Sequence, residues 1–227
     1  SSDGTKAYLS GSAGDDFNQY NLSSAWDLST AVYDDRRKPL LSANIPDSMF
    51  FSSDGLQLFV LDTGTSADEE SIIKLTLSTA WDLSTVSPRN PNSAYFPEVL
   101  ENNATGMAIS TDGTKLYIID VSPDIIYQYT MSTAFEITTA TYDSISLDVT
   151  SQENSPRTIV FKPDGTKMFI LGNGGDRVDE FALSTPWDIS TASLTVTSSS
   201  VGSQEGNAMG MHFAKDGKTF YITGTTS

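Results

Sequence analysis

The chain has 227 residues, 13 basic against 29 acidic side chains for a formal charge of −16, and no cysteine. Such a charge repels nucleic acid and anionic membrane surfaces, and it favours either cationic partners or simple solvation in salty surroundings. Without cysteine there are neither disulfides nor thiolate metal sites; no apolar run approaches the ~20 residues of a membrane-spanning helix, and no basic-then-apolar leader opens the sequence, which says nothing about secretion.

Along the chain, the first residues, Ser1-Ser2-Asp3-Gly4, match Ser52-Ser53-Asp54-Gly55, so the sequence opens at a turn whose preceding strand it does not contain. The same Asp-Gly pair returns at Asp112-Gly113, Asp164-Gly165 and Asp216-Gly217, with the glycines 51, 58, 52 and 52 residues apart. A second block, Leu22-Ser23-Ser24-Ala25-Trp26-Asp27-Leu28-Ser29-Thr30-Ala31, recurs at 77–86, 131–140 and 183–192. Between these anchors lie short runs of period-two alternation bounded by Gly, Asp, Ser and Pro, the pattern of strands and hairpins. The copy with strands at 107–109, 115–119, 125–131 and 141–147 shows the full unit, and no stretch has the 3.6 period of a helix.

A strand-only unit near 50 residues, repeated in tandem, predicts an all-β chain folded as a β-propeller of four-stranded antiparallel blades, four to five of them here. The repeats fall at approximately 1–45, 46–103, 104–155, 156–207 and, in part, 208–227, with strand order bcd, abcd, abcd, abcd, ab when strands are lettered from the axis outward. The last inner strand is placed to complete the first blade, which leaves the strand at Phe220 as a surplus. The expectation is therefore a segment of a longer array, a subunit that closes its ring with a neighbour being the alternative.

Phe161-Lys162-Pro163-Asp164-Gly165-Thr166-Lys167-Met168-Phe169-Ile170-Leu171-Gly172 resembles the core of YVTN-type and WD-type β-propeller repeats. The Ser-Thr-Ala-Trp-Asp-Leu-Ser-Thr block resembles a variant associated with repeat proteins of marine bacteria and their phages. The resemblance spans nearly the whole chain. It implies the propeller fold and is almost silent on activity, because function on such folds lives in the loops.

Several residues invite a chemical reading. The five Asp-Gly aspartates read as turn formers, since Asp tolerates the left-handed region and Gly occupies it freely. The pairs Trp26-Asp27, Trp81-Asp82 and Trp187-Asp188, with Phe135-Glu136 in the fourth slot, read as plugs between blades with an acid bonding the connection of strands c and d; the rival reading is a sugar platform on each blade. His212, the single histidine, aligns with Phe50, Ala108 and Val160, a core or axis-lining position. No nucleophile motif is present, and no catalytic residue or metal site is assigned. Asn21-Leu22-Ser23 and Asn103-Ala104-Thr105 fit the glycosylation sequon at a frequency close to chance.

Variation between copies is concentrated in the b–c and d–a connections, which open on one face of a propeller, and variable loops on a rigid scaffold are where binding resides. Candidate binding residues there are Asp15, Asp16, Asp68, Glu69, Glu70, Asp124, Asp176 and Arg177, the basic island Arg36-Arg37-Lys38, and Tyr95-Phe96. Clustered oxygen ligands make calcium an option, although no EF-hand loop occurs. The expected role is a non-enzymatic binding or structural module, of adhesin or tail-fibre type, on an extracellular or virion surface, meeting a protein or a cell-surface glycan. A carbohydrate-binding propeller is the alternative and a lactonase-like hydrolase the third reading; neither nucleic acid nor membrane insertion is expected.

Overall fold

Among residues 1–11, 16–39, 46–63, 71–87, 93–95 and 103–225, which the computed structural model describes (backbone alone at 11, 16, 35–39 and 93–95), the chain runs in sequence order through five antiparallel sheets. The first sheet holds β1 (Lys6–Gly11), β2 (Asp16–Leu22) and β3 (Ala31–Pro39). The second holds β4 (Pro46–Phe51), β5 (Gln57–Asp62), β6 (Ser71–Thr76) and β7 (Ser93–Tyr95). β8 (Ala104–Ile109), β9 (Lys115–Asp120), β10 (Ile125–Met131) and β11 (Ala140–Asp148) form the third. β12 (Pro156–Phe161), β13 (Lys167–Gly172), β14 (Val178–Leu183) and β15 (Ala192–Thr197) form the fourth, and β16 (Ala208–Phe213) pairs with β17 (Phe220–Gly224). This is the bcd, abcd, abcd, abcd, ab order read from the repeats, and the fold is an all-β propeller.

The chain divides into two compact units, Ser1–Tyr95 with Phe213–Thr219, and Phe96–His212 with Phe220–Ser227. Within the first, β1 packs on β4; within the second, β8 and β9 pack on β12. β8, packed on β12, is buried at every residue, whereas outermost β15 has five exposed residues after a half-buried first one. Leu58, Val60, Ile73, Leu75, Leu77 and Leu83 are core in the first unit; Tyr117, Ile119, Ile126, Ile159, Met168, Ile170, Phe181 and Ile189 are core in the second. Each such side chain is worth roughly 1.5–3 kcal/mol of transfer free energy.

The Asp-Gly turn is a single device used five times. In the second sheet Gly55 N–H donates to the Ser52 carbonyl at 2.8 Å and Ser52 N–H to the Gln57 carbonyl at 2.9 Å. Gly4, Gly55, Gly113, Gly165 and Gly217 hold φ between 67° and 74°, while none of their aspartates has positive φ. The aspartate's contribution is therefore as an acceptor: one carboxylate oxygen takes the backbone N–H two residues on, from Thr5, Leu56, Thr114, Thr166 and Lys218, at 3.0 Å in each case.

The second recurring block folds back onto that turn. Trp26, Trp81, Phe135 and Trp187 all take positive φ, from 58° to 65°, a conformation that costs a bulky residue on the order of 1–3 kcal/mol. Their N–H groups donate to the carbonyls of Gly4, Gly55, Gly113 and Gly165 at 2.9, 2.9, 2.9 and 3.0 Å. Each ring then lies so close over its glycine that a Cβ there would run into it. Asp27, Asp82 and Asp188 follow, each accepting from the N–H two residues on and capping the 3-10 turns Leu28–Thr30, Leu83–Thr85 and Ile189–Thr191. Glu136 makes no such backbone cap and instead accepts from the Thr138 hydroxyl at 3.0 Å.

Neighbouring blades are then joined by buried polar contacts. Within the first unit the Tyr8 hydroxyl donates to the Trp81 carbonyl at 2.6 Å, and buried Gln19 accepts from the Leu83 N–H at 3.0 Å while donating to Asp34 at 2.7 Å. Within the second the same set repeats: Tyr117 hydroxyl to Trp187 carbonyl at 2.5 Å, Ile189 N–H to Gln128 at 3.0 Å, Gln128 to Asp143 at 2.9 Å. Burial pushes both phenols well above their ordinary pKa, so both remain neutral donors. Phe51 packs in tilted contact between Tyr8 and Trp81 at centroid distances of 4.7 and 5.1 Å, as Phe161 does between Tyr117 and Trp187 at 4.4 and 5.1 Å. The donors alternate along the chain, Tyr8, Phe59, Tyr117, Phe169, Tyr221 at one strand position and Gln19, Lys74, Gln128, Glu180 at another. The repeat is thus a pair of unlike blades.

Replacing Gly165 by Ala forces a Cβ into the Trp187 ring as well as the left-handed region, whereas Gly217 has nothing within 4 Å of the same position. Urea unfolding is expected to show a loss of about 3 kcal/mol for Gly165→Ala and about 1 kcal/mol for Gly217→Ala, the steric cost of left-handed φ alone.

The turn carboxylates are held low by hydrogen bonds: Asp3 to about 2, chiefly by the Ser1 hydroxyl and then Thr5, Asp54 by Ser52 and Leu56, and Asp164 by Lys162 and Thr166. A carboxyl with a depressed folded pKa contributes stability above its unfolded pKa, here 3.8, and loses it as pH falls through the folded value. Acid titration followed by circular dichroism should show stability falling from about pH 4 toward pH 2, and combined Asp3→Asn, Asp54→Asn and Asp164→Asn replacement, which keeps the acceptor but removes the charge, should flatten that limb.

Candidate functional site

On the varied face of the second unit, two connections meet and close a cleft. The turn after β11 begins at Val149, whose N–H donates to the Asp124 carbonyl at 3.0 Å and whose own carbonyl accepts from Gln152 and Glu153, both at 2.8 Å. Asp124 lies at φ 63°, a region that Asp and Asn enter more readily than most residues. Glu153 is 1% exposed, and three backbone donors take up its carboxylate: Ser155 N–H at 3.0 Å and Gly174 N–H at 2.7 Å on one oxygen, Gly175 N–H at 3.1 Å on the other. A buried carboxylate is tolerated only with such satisfaction. Here it also clamps the b–c loop of the fourth sheet to the turn from the third.

The cleft between them is about 170 Å³, lined by Thr150, Ser151, Gln152, Asn154, Gly174, Gly175 and Arg177. Arg177 donates through Nη2 to the Gln152 carbonyl at 2.9 Å, which ties the guanidinium to the opposite wall. Its Nε stands 3.9 Å from Oδ2 of Asp179, a side chain 1% exposed whose other oxygen accepts from Thr197 at 2.5 Å. Beneath the wall, Arg157 Nε and the Ser155 hydroxyl both donate to Asn173 Oδ1, at 3.0 and 3.3 Å.

Of the candidates read from the sequence, Asp124, Asp176 and Arg177 come to this one region. Arg177 lines the cleft; Asp124 anchors the turn through its carbonyl; Asp176, at φ 48°, does the same for the following turn by accepting from Val201 N–H at 2.6 Å. Burial, then the charges of Glu153, Asp148 and Asp120, raise the Asp124 carboxyl above its ordinary pKa. Asp15, Asp68, Glu69, Glu70 and Phe96 lie outside the described residues, and Asp16, Arg36, Arg37, Lys38 and Tyr95 stand in strands described by backbone alone. Among the described residues no three His, Asp or Glu side chains are grouped as a metal ion requires. His212 has an exposed side chain on β16, next to buried Met211. Its place on an inner strand fits the axis-lining half of the expectation rather than the core half, and desolvation still lowers its imidazole pKa. The Trp-Asp aromatics are half-buried with a ring face spent on a glycine, so they do not offer the open platform a sugar would stack on.

Glu153 and the turn it anchors escaped the sequence reading, which treated the d–a connections as the variable ones. Val149-Thr150-Ser151-Gln152-Glu153 and Val201-Gly202-Ser203-Gln204-Glu205 are copies 52 residues apart. The second folds as the first does: Gln204 and Glu205 N–H both donate to the Val201 carbonyl at 2.9 Å, and Glu205 accepts from Asn207 N–H at 2.9 Å.

No protein-family model matches the chain, and no curated protein matches it in sequence. In fold it is similar to a functionally unknown protein from Desulfotomaculum acetoxidans, at 13% identity and a TM-score of 0.58 over 99% of this chain and 61% of that one. It is also similar to the periplasmic gluconolactonase of Pseudomonas aeruginosa, at 18% identity and 0.56 over 91% and 56%. A chain of a nidogen–laminin complex gives 13% identity and 0.60 over 96% and 69%. The chain therefore spans about three fifths of the length of the first two. At these identities the likeness shows the propeller fold alone.

The raised carboxyl of Asp124 yields a signed prediction. Because the folded state holds that proton more tightly than the unfolded chain, stability falls as pH rises through the window above 3.8,. Asp124→Asn, which also tolerates positive φ, should raise the urea midpoint at pH 7 and leave it unchanged at pH 3.

Proposed function

We propose that this chain is a non-enzymatic binding module that engages its partner through the varied face, with the cleft between residues 150–154 and 174–177 as a contact point. The observation that carries this reading is the clamp by Glu153. It fixes two loops from different blades in one geometry, and such pre-organisation lowers the entropic cost of binding. What the cleft presents is hydrogen-bonding chemistry: hydroxyls, carboxamides and one guanidinium tied to a backbone carbonyl. The setting proposed is an extracellular or virion surface, in an adhesin or tail-fibre-like protein, and the formal charge of −16 fits a heavily solvated exterior,. The repeated Ser-Gln pair on successive turns favours a carbohydrate-binding propeller as the second reading.

Binding of the fluorescently labelled chain to a printed panel of glycans and extracellular matrix proteins tests this, read beside gluconolactone hydrolysis followed by pH-stat. Saturable binding to a panel member is expected, weakened at least tenfold by Arg177→Ala, with lactone consumed no faster than in buffer. Lactone turnover abolished by Arg177→Ala would replace the binding reading with a hydrolase.

A further inference from the structure

The cleft has a definite chemical bias. Its lining contributes Thr and Ser hydroxyls, the Gln152 and Asn154 carboxamides, glycine backbone and a guanidinium, and no aromatic or aliphatic side chain. An apolar ligand therefore has nothing to bury against. At about 170 Å³ the space is also well under the roughly 300–1,000 Å³ of sites that take drug-sized molecules,. One small ring fills it.

Charge narrows the ligand further. Arg177 is the only cation in the lining and sits 3.9 Å from the buried Asp179 carboxylate. Glu153 lies under the cleft, and Asp148 accepts from Thr150 at its rim through both N–H and hydroxyl, at 2.9 and 2.7 Å. An anionic ligand meets this acidic surround. A cationic one meets Arg177 and finds the Glu153 carboxylate already taken by three N–H groups. Neutral hydroxyl groups, which donate and accept, suit carboxamides, hydroxyls and a guanidinium that keeps donors beyond the one given to Gln152.

The next blade supports the same conclusion independently. Ser203 and Gln204 occupy the slots of Ser151 and Gln152 on a turn of the same hydrogen-bonded form, and both are exposed. Matching polar groups at one slot of successive blades are what a ligand with repeated, similar units needs, since linked weak sites gain by effective concentration.

We infer that the cleft of Ser151, Gln152, Asn154, Gly174, Gly175 and Arg177 binds a neutral, hydroxyl-rich ring, a monosaccharide unit of an uncharged glycan, with Ser203-Gln204 as the start of a second such subsite. This rests on the binding-face reading and adds its ligand class. With no aromatic platform, a single unit binds weakly, on the order of millimolar.

The test is a 15N-HSQC titration of the full chain with methyl glucoside, methyl galactoside and methyl mannoside, and with N-acetylneuraminate and glucosamine as charged counterparts. At least one neutral glycoside should shift the amides of Ser151, Gln152, Gly174 and Gly175 saturably. Arg177→Ala should weaken it by about tenfold, the worth of one charged hydrogen bond. The exposed Ser151→Ala, which leaves the fold and its spectrum intact, should weaken it severalfold. Shifts produced by N-acetylneuraminate or glucosamine alone, or none with any sugar, would overturn the inference. If the glycan and matrix panel still gives Arg177-dependent binding to a protein, the binding face stands and only the ligand class falls; if the panel is blank too, both fall.

Discussion

Everything in this propeller hangs on an aromatic ring lying flat on a glycine. The turn between the two inner strands of a blade exposes a residue without a side chain, and the connection between the two outer strands drops a Trp or Phe onto it, held in register by an N–H bond to the glycine carbonyl. Ring and turn come from opposite ends of a blade's sequence, so the contact fastens the sheet across its whole width. Its cost is a bulky residue at positive φ, repeated four times, and a strain of that kind persists only where packing over-determines it. In the second and fourth sheets, where Phe51 and Phe161 pack tilted against the rings, the aromatic layer reaches the tyrosine of the preceding blade.

With blades fixed in this way, the face carrying the b–c and d–a connections is free to vary without loss of register. The cleft shows how that freedom is limited. Glu153 is a charged group buried for structural reasons, satisfied by three amides from two segments, and removing it would leave those amides without their acceptor. Loop chemistry can change around it only as long as the acid and its two glycines remain.

How much of this was legible in the sequence depends on the kind of interaction. The strands were, because Asp-Gly turns and period-two runs are local signals, and the strand order of all five sheets follows from them. The role of the acid before Gly was half legible: the turn was evident, but its carboxylate is an acceptor for the N–H two residues on, and only the glycine is left-handed. For His212 the alignment with apolar neighbours left core and axis-lining positions open, because burial at one slot of an inner strand depends on neighbouring side chains that the strand pattern does not report. Glu153 was missed for a different reason. Its partners, Gly174 and Gly175, are some twenty residues away and join it only through the packing of two blades, and nothing in a single strand pattern reports that.

The alternation of Tyr and Phe, and of Gln with Lys or Glu, decides which blade makes the bonded joint to the next. A blade with Tyr and Gln supplies a hydroxyl and a carboxamide; the next receives them at its Trp carbonyl and 3-10 N–H. Those receiving groups are backbone, and all four copies of the aromatic and 3-10 block carry them whatever blade stands before. The joint is thus one-sided in sequence: two side chains on the giving blade set it, and the receiving blade is free to change its side chains without losing its half.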